Sequence, residues 1–88
     1  MTEQEIDDCY DLAGNYFENG DYSLAISECS SAISLGAKDA RIFNTRAYAY
    51  IKQGEGKKAR LDFDASLILD PNDDWVREMR DKLVNKGY

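Results

Sequence analysis

Histidine is absent from the 88 residues, proline occurs once and cysteine twice. Without histidine the chain lacks the commonest general base, the commonest metal ligand and the usual switch near neutral pH. Cys9 and Cys29 cannot complete a structural zinc site alone, because such a site takes four ligands. Nor do two cysteines make the disulfide framework of a small secreted domain. They read as buried apolar thiols in a reducing cytoplasm. A disulfide between them is the lesser alternative, and no histidine or adjacent cation would activate either as a nucleophile. Bases are also scarce: 11 Lys and Arg against 17 Asp and Glu leave a net charge of −6. That excess argues against nucleic acid or an anionic membrane as the main partner, since both demand clustered Lys and Arg. No apolar run approaches the roughly 18 residues needed to cross a bilayer. The opening Met1-Thr2-Glu3-Gln4-Glu5 is acidic and polar, the opposite of a signal peptide.

Catalytic motifs are missing too. Gly54-Glu55-Gly56-Lys57-Lys58 does not meet the phosphate-loop spacing and follows no strand. The acid pairs Asp7-Asp8 and Asp73-Asp74 fall at helix starts, where they favour the helix dipole. Asp70, Asn72, Asp73 and Asp74 lack the glycine and distal glutamate of a calcium loop. Lys52, Lys57, Lys58 and Arg60 form a local basic cluster that reads as a solvated face. We therefore expect no enzyme, no metal and no cofactor.

Ten aromatics and 43% hydrophobic residues are too many for a disordered chain, so one small folded domain is expected. Apolar residues at Ile6, Cys9, Leu12, Ala13, Tyr16 and Phe17 trace one stripe of a helix. Thr2 and Glu5 form a capping box at its start. Asn19-Gly20-Asp21 breaks the pattern, and Asp21 is a candidate cap for a second helix carrying Tyr22, Ala25, Ile26, Cys29, Ala32 and Ile33. Gly36 suits a left-handed stop. Asp39 then opens a helix with Phe43, Ala47, Tyr50 and Ile51, and Gly54-Glu55-Gly56 ends it. A fourth helix with Ala59, Phe63, Ser66 and Leu67 stops at Asp70-Pro71. Asn72 or Asp73 caps a fifth with Trp75, Val76, Met79 and Leu83 on one face. Short links between five helices imply antiparallel neighbours.

A shift of 34 residues superposes the first half on the second: Ala13 on Ala47, Tyr16 on Tyr50, Gly20 on Gly54, Ala25 on Ala59, Leu35 on Leu69 and Asp39 on Asp73. Small residues recur at Ala13, Ala25 and Ala32 and again at Ala47, Ala59 and Ser66. Two helices of a hairpin approach closely only where small side chains lie at their crossing. A 34-residue helix–turn–helix unit with this pattern resembles a tetratricopeptide repeat. The second copy matches through Phe43-x-x-Arg46-Ala47-x-x-Tyr50, Ala59-x-x-x-Phe63 and Pro71. The first reads Cys9-x-x-Leu12-Ala13-x-x-Tyr16 and Ala25-x-x-x-Cys29, with Ala37 in place of the closing proline. The aromatic expected just after the turn is Tyr22 in the first copy, but Gly56 replaces it in the second.

The resemblance implies an all-α, right-handed solenoid. Repeat 1 would cover about residues 6–39, repeat 2 about 40–73, and a capping helix about 74–86. Trp75, Met79 and Leu83 are expected to cover the open face of repeat 2. The resemblance also implies a protein-binding adaptor whose groove is lined by the first helix of each repeat. Inward-facing positions there are Asp7, Tyr10, Gly14, Phe17 and Glu18, then Arg41, Asn44, Tyr48, Ile51 and Lys52. Of these, Asp7, Tyr10, Phe17, Arg41, Asn44, Tyr48 and Lys52 are the candidate partner-binding residues. Aromatic faces would take apolar anchors, Asn44 a backbone amide, and Arg41 with Lys52 acidic side chains. Some family members clamp the C-terminal carboxylate of heat-shock chaperones with lysines, asparagines and an arginine. The matching places here hold Tyr10, Gly14, Thr45, Trp75 and Met79, so no such clamp is expected. The alternative is a homo-oligomer, a weak dimer included, paired through its ends or by exchange of the fifth helix. Residues 1–39 carry −8 and residues 40–88 carry +2, which would favour head-to-tail pairing.

Overall fold

Residues 1–88 are described by a computed structural model. Five helices follow one another: α1 (Glu3–Glu18), α2 (Tyr22–Ser34), α3 (Ala40–Lys52), α4 (Gly56–Leu69) and α5 (Asp74–Asn85). No strand occurs, and the chain is an all-α helical-repeat solenoid of about 36 × 27 × 19 Å. Thr2 and Glu5 form the capping box of α1, while Asp39 and Asp73 accept backbone N–H bonds that open α3 and α5. Asp21 stands at the start of α2, but its side chain makes no capping bond, so that helix begins without the expected cap.

The two hairpin turns are built alike. Gly20 and Gly54 take positive φ angles of 82° and 77°, which only glycine adopts without strain. Behind them Asp21 N–H reaches Tyr16 O at 2.8 Å and Glu55 N–H reaches Tyr50 O at 2.9 Å. Each reversal satisfies carbonyls left open at the end of the first helix.

Within each hairpin the small residues lie at the crossing. Ala13, Ala25, Ala47, Ala59 and Ser66 are fully buried, and Ala32 nearly so. Cys9, Cys29, Ala37 and Ile42 complete one core cluster; Phe63, Val76 and Leu83 complete the other. The surface by which one hairpin stacks on the next was not expected from the repeat. Ile42 and Ala49 are fully buried, and Val76 and Leu83 nearly so. In register, Ile42 and Val76 correspond to Asp8, and Ala49 and Leu83 to Asn15, both exposed. Polar side chains suit those exposed positions of the first hairpin.

The same register corrects the expectation for the fifth helix. Trp75 does not fill the core. It is 57% exposed, and Val76 takes the buried place beside it. Leu83 is buried and Met79 packs at the edge, as expected.

One buried ion pair ties three helices together. Arg46 of α3 donates two bonds to Asp62 of α4, Nε to Oδ2 at 2.8 Å and Nη2 to Oδ1 at 2.7 Å. Its Nη1 reaches Ser30 Oγ of α2 at 3.1 Å. The guanidinium also lies 5.9 Å from the Phe43 ring centre and 5.8 Å from that of Tyr50, within the range of a cation–π contact. Thirty-four residues on, Arg80 makes the matching bond to Asp64, again at 3.1 Å.

Candidate functional site

The expected binding residues fall on the face made by α1 and α3, and the structure sorts them into two groups. The first is charged. Arg41 donates to Asp7 across the two helices at 2.6 Å and to both oxygens of Asp39 at 2.9 and 3.1 Å. Its guanidinium lies 4.8 Å from the Tyr10 ring centre. The Arg41 side-chain bond holds the Asp39 carboxyl below its ordinary value, and the bonds to Asp39 and then Asp7 raise Arg41 further. Arg41 is therefore already engaged by two carboxylates. Lys52, the other expected cation, is exposed at the end of α3 and makes no ion pair.

The second group is aromatic. Phe17 of α1 lies edge-on to Tyr48 of α3 at 6.5 Å, and Tyr48 meets Trp75 of α5 at 5.3 Å. Tyr22 flanks Phe17 at 5.3 Å, and Phe63 supports Tyr48 from within at 5.4 Å. These separations are those of attractive ring pairs. Phe17 and Tyr48 are half-buried and Trp75 is largely exposed, so the row runs from the core out to solvent across three helices. Burial, and after it the charge of Asp73, pushes the Tyr48 phenol up to about 12. Two buried atoms in α3, Asn44 Oδ1 and Tyr48 Oη, lack hydrogen-bond partners.

Trp75 is the functional candidate that periodicity within α5 misplaced. The repeat register points to it: Asp7, Arg41 and Trp75 stand 34 residues apart, at one position of the repeat. Elsewhere, an apolar depression of about 450 Å³ lies between the ends of α2 and α4, lined by Ile33, Ala37, Phe43, Ala65, Ile68 and Leu69. None of the expected binding residues reaches it. No group of three His, Cys, Asp or Glu side chains is placed to hold a metal ion, and no helix is long and apolar enough to cross a membrane.

Residues 40–73 match the tetratricopeptide repeat family. The second hairpin is a tetratricopeptide repeat. The first hairpin shares its 34-residue register, its buried small residues and its glycine turn. The tetratricopeptide fold extends over nearly the whole chain. The solved second TPR of Spaghetti (RPAP3), bound to the HSP90 peptide SRMEEVD, superposes with a TM-score of 0.84. That overlay covers 94% of this chain and 76% of the other at 24% sequence identity. Meiotically up-regulated gene 93 protein of Schizosaccharomyces pombe is 27% identical over 67 residues. Those residues are 76% of this chain but 18% of the yeast protein, so the chain spans under a fifth of that relative's length.

Proposed function

We propose that this tetratricopeptide chain is a protein–protein interaction module, without chemistry of its own, that holds a segment of another protein on the face of α1, α3 and α5. The observation that carries the reading is the row Phe17–Tyr48–Trp75, which places aromatic surface outside the core. Large aromatic anchors with buried roots are the side chains that dominate binding energy at protein interfaces. The Spaghetti repeat, of the same fold, was solved with a peptide bound, which supports a peptide or helical segment as the ligand class here.

The ligand we favour is anchored by apolar side chains rather than by a C-terminal carboxylate. Arg41 would have to release Asp7 and Asp39 to receive an acid. The places that match a carboxylate clamp hold Tyr10, Gly14, Thr45, Trp75 and Met79, none of them a cation or an amide. Titration of the peptide SRMEEVD, followed by the fluorescence of Trp75, is expected to show no saturation up to about 1 mM. Micromolar binding that is lost in Arg41→Glu/Lys52→Glu would reverse this reading.

Trp75→Ala tests the face itself. Because Trp75 is 57% exposed but packs on Tyr48, the substitution should cost about 1 kcal/mol of stability and leave the chain folded. A partner captured from lysate by the parent chain should then bind the variant about 30-fold more weakly, the effect of a hot-spot residue. Equal capture by both chains, with equal helicity by circular dichroism, counts against the face.

A further inference from the structure

The second hairpin lacks an aromatic where the first has one. Tyr22 opens α2 and packs on Phe17. Thirty-four residues on, Gly56 opens α4 with no side chain. Yet Gly56 is buried, and a Cβ built on it would lie 2.6–2.7 Å from the ring of Tyr88. The turn after α5 delivers that ring. Gly87 takes a φ of +97°, its N–H donates to Val84 O at 2.9 Å, and the Tyr88 N–H donates to Leu83 O at 3.1 Å. This left-handed reversal sends the chain back toward α4. There Arg60 Nε donates to the Tyr88 carbonyl oxygen, and Ile51, Leu83 and Lys86 line the same notch. Ile51 is the register partner of Phe17, the residue that Tyr22 covers in the first hairpin.

We propose that Tyr88 is a latch: its ring supplies, from beyond α5, the aromatic that the second repeat lacks, and its seat on Gly56 holds α5 in place. The latch joins the start of α4 to the far end of the capping helix, which carries Trp75 at its other end. Two observations made separately support it, the vacancy at position 56 in the repeat register and the ring found above it. A Cβ at that position would force the Tyr88 ring to shift from its seat.

The test is a set of melts on the 88-residue chain. Tyr88→Ala should lower the melting temperature by about 5 °C. It should also speed amide exchange in α5 more than in α1 and α2. Gly56→Tyr, added to Tyr88→Ala, should recover at least half of the loss, because a ring again covers Ile51. Should that variant not fold, Gly56→Ala decides. Its change in melting temperature should be more unfavourable by about 3 °C in the parent than in the Tyr88→Ala background, since the two substitutions remove one contact. A melting temperature within about 1 °C of the parent for Tyr88→Ala overturns the latch. So do an effect of Gly56→Ala that is equal in both backgrounds and a Gly56→Tyr variant that folds without recovery. A concentration-dependent dimer that dissociates in Tyr88→Ala would assign the notch to a second copy's tyrosine and overturn the intramolecular seat.

Discussion

Asp62→Ala is expected to lower stability by about 3 kcal/mol, the low end for removing one partner of a buried ion pair. In a domain of this length that is a fall of roughly 12–24 °C in melting temperature. Asp62 is 4% exposed, and its only partner is the doubly bonded Arg46. Truncation leaves the guanidinium between Phe43 and Tyr50 with a single hydroxyl, Ser30, to answer it. The cost comes from that stranded charge rather than from any large gain in forming the pair, because desolvation offsets most of the Coulomb attraction. Replacing both partners, Arg46→Met with Asp62→Leu, should therefore recover most of the loss. Thermal melts of the two singles and the double measure this directly. A double as unstable as Asp62→Ala would mean that the pair itself, not the orphaned cation, supplies the stability.

Stability should also fall steeply in alkali. Burial pushes the Cys29 thiol up to about 12, with the neighbouring Cys9 adding to the shift, and burial raises Cys9 as well. Tyr48 rises to about 12 for the same main reason. In the unfolded chain a thiol ionises near pH 8.5 and a phenol near 10. Below those values the raised groups contribute their full stabilisation. Above them the unfolded state loses protons that the folded state keeps, and the contribution drains away up to about pH 12. For Cys29, fully buried, the slope is about 1.4 kcal/mol per pH unit once its unfolded form is ionised. Urea titrations from pH 8 to 11 should show this limb, and Cys29→Ala should flatten it. The readout is the slope, because the lost sulfur lowers the whole curve through the cavity it leaves. An unchanged slope in Cys29→Ala would place the alkaline sensitivity elsewhere.

Contacts made inside one hairpin were legible before any coordinates. Ala13 and Ala32 share one core cluster and Ala47 and Ala59 the other, each pair joined through a short local turn, and the two copies repeat one message. The stacking surface was not legible in that way. Its residues are apolar in the second hairpin and in α5 (Ile42, Ala49, Val76, Leu83) but polar in the first (Asp8, Asn15), so averaging the copies hides them. Trp75 was misread for a related reason. Periodicity cannot rank two adjacent positions of a short helix, whereas the register with Arg41 and Ile42 separates Trp75 from Val76. Of the candidate residues, Phe17 and Tyr48 lie edge to face, and Arg41 is held by two carboxylates, contacts that the sequence pattern did not reveal.

By itself, then, the amino-acid order settled the number of helices, the 34-residue repeat and the small-residue crossings, because each depends on neighbours within a few dozen residues. Tertiary structure alone decided which bases are spent internally, which aromatic faces solvent and how Tyr88 comes to rest on Gly56. Those outcomes depend on the angle at which whole hairpins stack. That angle is a sum over many weak contacts, and no local run of sequence encodes it.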